Sequence, residues 1–363
     1  MKRLLAFTLA ILTVLSLCAC GQEETPPVTT TETTTETTQE TTTETTTEAT
    51  EPPILYRHPL TGEPLEAPYT GRAIAVSIGN TKAALPQHGI SDADWFFEIE
   101  AEGGITRFLP IFTDVDEVDT IGPVRSARTF FNSVAASFTA PIAHCGGSVR
   151  GIRGYYDLTG SKISDWEHID QFHNASYFYR DQDRRSSGYA LEHTLFTTGE
   201  NLTACMESKS FSDIENLDYG YQFDEKVCLN GEKALDITVA FLGEKTSTFT
   251  YNANLDVYAI EQYDRELIDG TTGKQLTFKN LLVLYAPQSK KHDGSYVRSY
   301  YEIIGSGEGY YAVNGQIVKI LWSREDVKTP FVFTFEDGTP ITLGVGKTYA
   351  AISSPKSAPI EYK

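Results

Sequence analysis

The stretch that decides the fold is residues 95–112, Trp-Phe-Phe-Glu-Ile-Glu-Ala-Glu-Gly-Gly-Ile-Thr-Arg-Phe-Leu-Pro-Ile-Phe. Its two ends, residues 95–99 and 105–112, are rich in the aromatic and β-branched residues that favour strands. Between them lies Gly103-Gly104, a pair that is typical of a tight turn joining two antiparallel strands. The stretch therefore predicts a β-hairpin.

Around this hairpin, helix-like and strand-like segments alternate from residue 55 to about residue 230. Residues 73–78 form an apolar run that predicts a buried strand, and residues 141–143 predict a shorter one. Apolar residues four positions apart predict a helix over residues 126–138 that packs by one face. These elements predict an N-terminal α/β layer domain over residues 55–230.

Beyond residue 230 the pattern changes to short strand-like runs, which are separated by turn signals such as Asn314-Gly315 and Asp337-Gly338. Few helix signals interrupt these runs. We therefore predict a mostly antiparallel β domain over residues 231–363. The predicted fold class is α+β, an α/β layer domain followed by a β domain.

The first 19 residues have the three parts of an export signal. Lys2 and Arg3 supply the positive charge, and the apolar run that follows is shorter than the roughly 20 residues that span a bilayer. Leu17-Cys18-Ala19-Cys20 resembles the lipobox of bacterial lipoproteins, which implies cleavage before Cys20 and diacylation of its thiol. The alternative, an ordinary secretory signal, does not explain a cysteine at that position. We therefore expect a lipoprotein signal peptide over residues 1–19.

Residues 20–54 are rich in Thr and Glu, and glutamates recur at every fourth position from Glu32 to Glu48. β-Branched Thr is a poor helix former, and glutamates on one helix face would repel one another. Because the tract has almost nothing apolar to bury, we predict a disordered tether that lifts the folded body away from the lipid surface. O-glycosylation of its threonines is left open.

The charge balance excludes one class of function. The chain carries 30 Lys and Arg against 49 Asp and Glu, a formal net charge of −19 at pH 7. Such an acidic protein repels phosphate backbones, so we expect no nucleic-acid partner.

Cysteines are few in the folded body, where only Cys145, Cys205 and Cys228 occur. This number is far below that of a disulfide scaffold. A Cys205–Cys228 bridge is one alternative, and three buried free thiols are the interpretation that we favour.

The densest polar group begins in the predicted hairpin. Glu98, Glu100 and Glu102 alternate, so that in a strand they would share one face, and Thr106-Arg107 lie on the next strand. These residues are the first half of a predicted ligand site.

The second half of that site is the run Ile-Gly-Pro-Val-Arg-Ser-Ala-Arg at residues 121–128. Ser126 is expected to cap the predicted helix, whose first N–H groups would add to the positive charge of Arg125 and Arg128. Arg suits bidentate binding of carboxylate or phosphate, so these residues and Arg107 predict an anion site. The alternative is that the three arginines only pair with the three glutamates.

His144-Cys145-Gly146-Gly147-Ser148 follows the strand that is predicted at residues 141–143. Neighbours in a strand point to opposite faces, and no family-specific hydrolase signature surrounds Cys145, so catalysis by its thiol is the minor alternative. We predict that His144 and Ser148 line a pocket. Glu192-His193 could meet them in space, although exposed loop charges are the simpler interpretation.

Several motifs are absent from the sequence: a Walker loop, a Gly-x-Ser-x-Gly elbow, His-Glu-x-x-His and Cys-x-x-Cys. We therefore expect no cofactor and no metal site.

A further set of motifs runs along the chain from Tyr56 to Ser354. The set comprises His58-Pro59-Leu60-Thr61-Gly62, Ala93-Asp94-Trp95, Glu102-Gly103-Gly104-Ile105-Thr106-Arg107, Gly122-Pro123-Val124-Arg125-Ser126-Ala127-Arg128, His144 with Gly146-Gly147-Ser148, Asn314-Gly315, Trp322-Ser323 and Gly344-Val345-Gly346-Lys347-Thr348. Together they resemble the YerB-like lipoproteins of bacteria. The resemblance implies a membrane-anchored, two-domain ectodomain, and it implies no activity, so no catalytic residue is transferred.

The sequence thus favours a non-enzymatic lipoprotein, anchored through acylated Cys20 to the outer face of the bacterial cell membrane, that binds a cell-wall polymer or an envelope protein. The runner-up is an enzyme that acts on an anionic cell-wall polymer. In that case the arginines would hold the anion, and Glu100 or Glu102 with His144 would transfer protons.

Overall fold

The computed structural model describes residues 56–148, 167–243, 245–293 and 295–363. The predicted signal peptide, Cys20 and the predicted tether lie outside these residues. In the part of the chain that is described, no helix is long and apolar enough to cross a membrane.

Strands are short and numerous on both sides of residue 230. Those before it are β1 (Tyr56–Arg57), β2 (Pro64–Leu65), β3 (Thr70–Gly71), β4 (Ile74–Val76), β5 (Ile78–Asn80), β6 (Trp95–Glu102), β7 (Ile105–Phe112), β8 (Ile142–His144), β9 (His168–Asp170), β10 (Tyr179–Arg180), β11 (Leu195–Phe196), β12 (Ile214–Glu215) and β13 (Gln222–Asp224). Those after it are β14 (Glu232–Lys233), β15 (Asp236–Ala240), β16 (Thr246–Asn252), β17 (Val257–Gln262), β18 (Arg265–Glu266), β19 (Thr277–Phe278), β20 (Asn280–Tyr285), β21 (Gln288–Asp293), β22 (Tyr296–Tyr301), β23 (Gly305–Val313), β24 (Gln316–Arg324), β25 (Val332–Thr334), β26 (Thr342–Gly344), β27 (Thr348–Ser353) and β28 (Glu361–Tyr362).

Helices are few. The α-helices of the described residues are α1 (Thr129–Ser137), α2 (Gln182–Ser186) and α3 (Gly199–Ser208), and single 3-10 turns occupy Lys82–Ala84, Ala175–Tyr177 and Leu191–His193. The α/β layering that the sequence predicts before residue 230 is not confirmed. These helices have only nine, five and ten residues, too few to cover a sheet as a regular layer.

The predicted hairpin is confirmed and forms the middle of the fold. β6 and β7 pair antiparallel, and the turn between them places Gly103 and Gly104 at φ +61° and +78°, in the left-handed region that glycine adopts without strain. The pairing is regular from Trp95 to Glu100 and then shifts by a β-bulge before Glu102. The bulge breaks the alternation of side chains, and the prediction that Glu98, Glu100 and Glu102 share one face is wrong. Glu98 accepts a hydrogen bond from Tyr349 on one side of the sheet, whereas Glu100 accepts one from Tyr301 on the other.

A mixed sheet extends from this hairpin in both directions. Its strand order is β14-β24-β23-β20-β27-β6-β7-β4-β8-β9, with β25 on β24 and β5 on β7. β27 pairs parallel to both β6 and β20, so the C-terminal part of the chain supplies the neighbour of β6. The predicted boundary near residue 230 therefore does not separate two sheets.

The core lies on both faces of this sheet. Alternate residues Trp95, Phe97 and Ile99 pack with Phe130 and Val134 of α1. On the opposite face, Phe96 lies in a second apolar cluster with Tyr349 and Phe249, whose rings contact each other with centroids 4.7 Å apart.

Phe249 belongs to a second, antiparallel sheet, which has the order β18-β17-β16-β15-β28 with β19 on β17. The second half is therefore mostly antiparallel, as predicted, and the pair β20–β27 is one of its exceptions. The turn at Asn314-Gly315 joins β23 to β24, with both residues at positive φ.

Candidate functional site

The run at residues 122–128 is extended and lies between β5 and the turn after β8. Val124 bridges to Ile78, Ala127 bridges to Gly147, and the Arg125 N–H donates to the Ser77 carbonyl at 2.7 Å. These bridges keep the backbone out of the helix until Thr129. The predicted helix cap is therefore wrong: the N-cap position is Arg128, and the Ser126 carbonyl instead accepts hydrogen bonds from Ser77 and Arg107.

Two of the three predicted arginines converge on one carboxylate. Arg128 donates to both Glu102 oxygens, at 2.8 Å from Nε and 2.5 Å from Nη2, and Arg107 Nη2 lies 3.3 Å from Glu102 Oε1. Arg298 of β22, which sequence reasoning missed, approaches the same oxygen to 3.2 Å. Glu102 is thus shared by three guanidinium groups, and its side chain is 29% exposed.

The third predicted arginine lies in a neighbouring cleft. Arg125 Nη2 is 3.1 Å from Glu192 Oε2, and its Nη1 is 3.4 Å from His193 Nδ1. Arg180 lines the same cleft and donates to the Leu191 carbonyl at 2.6 Å. The short pair β10–β11 positions Arg180, and no signal in the sequence would have placed it beside Arg125.

These arginines influence one another electrostatically. Burial, and then the charge of Arg128, hold the pKa of Arg107 well below its ordinary value, with further contributions from Arg125 and Arg298. Burial alone would raise the pKa of Glu102, but hydrogen bonds from Arg128 and the neighbouring guanidinium charges lower it. We call Arg107, Arg125, Arg128 and Arg298 the arginine cluster.

The other predicted glutamate, Glu100, does not join the arginine cluster. Glu100 is buried and accepts hydrogen bonds from Ser299 at 3.1 Å and Tyr301 at 3.3 Å, and burial raises the pKa of its carboxyl group. Thr106 does not contact the arginine cluster either, since its hydroxyl donates a hydrogen bond to Glu98 at 2.6 Å.

Glu98 lies at the centre of a polar network that sequence reasoning missed. It has no exposed surface, and one oxygen accepts hydrogen bonds from Asn80 and Thr106. The other oxygen accepts hydrogen bonds from Ser247 at 2.7 Å, Gln262 at 2.8 Å and Tyr349 at 2.7 Å. Lys245 Nζ lies 3.2 Å from the first oxygen, which completes a buried ion pair. We call these residues the Glu98 network.

His144 and Ser148 have different surroundings in the structure. Ser148 lines a small space beside Arg128, together with Arg298 and Tyr300. His144 is buried: its Nδ1 is 2.7 Å from the Gly146 carbonyl and its Nε2 is 3.2 Å from His168 Nδ1. Burial lowers the pKa of His144, so its imidazole stays neutral near pH 7.

The three cysteines of the described residues are free thiols, and of these only Cys205 is buried as predicted. Cys145 lines the cleft of Arg125 and Arg180, Cys205 is buried and Cys228 is exposed. Burial raises the pKa of the Cys145 thiol, which disfavours the thiolate that a nucleophile requires. Within the described ranges, no group of three or more His, Cys, Asp or Glu side chains is arranged to hold a metal ion.

Two family models match most of the folded chain. Residues 60–212 match the N-terminal domain, and residues 237–350 the C-terminal domain, of the family described as "protein of unknown function (DUF3048)". The fold and both matches define a two-domain protein whose central sheet is built from the two domains together.

The relatives identify the family more closely. The chain is 27% identical over 317 residues to the putative lipoprotein YerB of Bacillus subtilis (strain 168), which covers 81% of this chain and 88% of that protein. The crystal structure of the YerB protein from Bacillus subtilis has the same fold, with a TM-score of 0.70 and 24% identity over 84% of this chain and 99% of that one. The chain belongs to the two-domain YerB-like family, and the resemblance found in the sequence is confirmed.

Proposed function

We propose that this chain is an extracytoplasmic lipoprotein, anchored at the outer face of the cell membrane through Cys20, whose arginine cluster binds an anionic group of the cell envelope. Support for the anchor comes from the motif Leu17-Cys18-Ala19-Cys20 and from the similarity to YerB of Bacillus subtilis, which is named a putative lipoprotein.

The observation that carries the binding function is that, among the described residues, arginines outnumber carboxylates at this site. Arg107 and Arg128 share Glu102, and Arg125 pairs with Glu192, whose side chain is 59% exposed. Because Glu192 is solvated, an incoming phosphate or carboxylate can replace it at Arg125 and leave no buried charge unpaired. The arginine cluster therefore offers positive charge on a strongly acidic chain.

The ligand class that fits this arrangement is a cell-wall polymer or envelope partner that presents phosphate or carboxylate groups. Arg binds such groups through two parallel hydrogen bonds. The acidic remainder of the protein repels the same ligand, but this repulsion is screened beyond about 8 Å at physiological ionic strength. Local contacts at the arginine cluster then dominate.

Binding is favoured over an enzymatic role by the position of His144. Its polar contacts within the described residues are with Gly146, His168 and Asp170, and not with Glu100 or Glu102. The acid–base pair that the enzymatic alternative requires is therefore not assembled.

The test is Arg125→Gln in the full-length protein, with Arg185→Gln as the matched control, because Arg185 is an exposed arginine that donates to Gln182. An ion pair with an exposed partner contributes about 0–1 kcal/mol, so Arg125→Gln should leave the melting temperature nearly unchanged. Inorganic phosphate and anionic wall fragments should stabilise the parent and the control but not Arg125→Gln.

The proposed function fails if neither phosphate nor wall fragments stabilise the parent. It also fails if Arg125→Gln is stabilised as much as the parent.

A further inference from the structure

The hairpin β21–β22 is a two-stranded sheet that is separate from the central sheet. Its register pairs Lys291 with Arg298 and Ser289 with Tyr300, and Tyr296 lies two residues before Arg298 on the same strand. Because side chains alternate along each strand, these positions share one face of the hairpin.

On that face, cations and aromatic rings are in contact. Lys291 Nζ lies 3.5 Å from the centroid of the Tyr300 ring, and the guanidinium carbon of Arg298 lies 5.0 Å from that of Tyr296. Tyr296 is 65% exposed, so much of its ring is accessible to a ligand. We call Lys291, Tyr296, Arg298 and Tyr300 the cation–tyrosine face.

The cation–tyrosine face continues the arginine cluster. Arg298 belongs to both, through its contact with Glu102 at 3.2 Å. Lys291 and Tyr300 line the same small space as Arg128 and Ser148. The base of the hairpin is held in this place from its other face, by the hydrogen bonds of Ser299 and Tyr301 to Glu100.

The charge of the hairpin is opposite to that of the protein. Its strands carry Lys290, Lys291 and Arg298 against Asp293, whereas the whole chain has a net charge of −19. A surface of this kind fits a ligand that offers saturated ring faces lined with C–H groups as well as negative charge. Such faces pack against the tyrosine rings, and anions pair with lysine and arginine. A simple anion would need the cations alone.

We infer that the cation–tyrosine face binds an anionic glycan, whose sugar rings stack on the tyrosines while its acidic groups pair with the lysine and the arginine. This inference rests on the proposed function and adds the chemical class of its ligand. The glycan would extend from the arginine cluster along the hairpin, so that binding uses several sugar units at once.

Four probes, titrated into the full-length protein, distinguish recognition of sugar rings from recognition of negative charge. Hyaluronan oligosaccharides carry sugar rings and carboxylates, polyphosphate carries charge without rings, dextran carries rings without charge, and dihexanoyl phosphatidylglycerol presents a lipid headgroup. The variants are Tyr296→Ala and Lys291→Gln, with Lys319→Gln as control because Lys319 is an exposed lysine on β24. Circular dichroism verifies that each variant is folded.

The expected result is that hyaluronan binds and dextran does not. Tyr296→Ala should weaken hyaluronan binding by about two- to tenfold, the size of one lost contact with an aromatic ring. Tyr296→Ala should leave polyphosphate unaffected, Lys291→Gln should weaken both anionic polymers, and Lys319→Gln should weaken neither.

Three results overturn the inference. If hyaluronan affinity is the same in Tyr296→Ala, the site recognises charge alone. If the phospholipid binds more tightly than hyaluronan, the hairpin recognises a lipid headgroup. If inorganic phosphate or wall fragments stabilise the parent but hyaluronan does not bind, this inference fails while the proposed function stands. Both fail only if phosphate, wall fragments and hyaluronan all fail to bind.

Discussion

The Glu98 network should control the stability of the whole folded body. Glu98→Gln removes the charge of a carboxylate that has no exposed surface and leaves the ammonium group of Lys245, also buried, without its anion. Breaking a buried ion pair from one side costs about 3–5 kcal/mol, because the remaining charge stays desolvated. For a body of this size that cost corresponds to a fall in melting temperature of about 5–8 °C.

The assay is urea unfolding and thermal unfolding at pH 7. The control is Glu261→Gln, because Glu261 is an exposed glutamate on β17, the strand that also carries Gln262 of the Glu98 network. Lys245→Met should also be destabilising. The double variant Glu98→Gln/Lys245→Met should lose less stability than the sum of the two, since the second change removes the stranded charge. A loss below about 1 kcal/mol in Glu98→Gln, or strict additivity, would refute the reasoning.

Three further predictions follow from single positions. Burial, and then the neighbouring charge of His144, lower the pKa of His168 from 6.5 to about 4. Between pH 6.5 and pH 4, His168 is therefore protonated in the unfolded chain but mostly neutral in the folded chain. The free energy of unfolding should be highest above pH 6.5 and fall by about 2–3 kcal/mol as the pH drops to 4. Urea titrations at pH 7.5, 5.5 and 4.5 should show this loss reduced in His168→Gln, and an unchanged pH profile would contradict it. A Cβ at Gly199 would lie 1.7 Å from the Val115 carbonyl oxygen, so Gly199→Ala should destabilise by about 1–3 kcal/mol, and an unaltered unfolding curve would exclude that clash. Cys20→Ala should release the protein or leave it as an unprocessed precursor, and normal lipid labelling of this variant in membrane fractions would disprove the anchor.

Structural elements that are specified by neighbouring residues in the sequence could be predicted. The hairpin around Gly103 and Gly104 needs only a turn and two apolar runs, and the structure has it where the pattern placed it. The predicted helix exists as α1, but it begins three residues later than predicted. The difference arises because residues 124–127 satisfy their backbone groups by bridging to β5 and to Gly147, which lie far away in the sequence.

Contacts between distant parts of the chain could not be predicted. β27 inserts between β20 and β6, and nothing in residues 348–353 specifies that neighbour. The candidate site also depends on contacts between distant parts of the chain, and for that reason it could be predicted only in part. The pairing of Arg107 and Arg128 with Glu102 was one of two alternatives that the sequence offered, whereas Arg298, which joins them, comes from another domain of the family. The partners of Glu98 could not be predicted for the same reason, because Lys245 and Tyr349 are far from Glu98 in the sequence.

The position of β27 has a consequence for the order in which the protein is made. β6 is complete at Glu102, but the strand that pairs with its free edge ends at Ser353, near the end of the chain. Those residues emerge about 250 residues later, which takes on the order of 12–50 s at 5–20 residues per second. During that interval the apolar strand β6 has one unpaired edge, a template for association with other chains. The N-terminal half is therefore protected from such association only once the last strand of the central sheet has paired with β6.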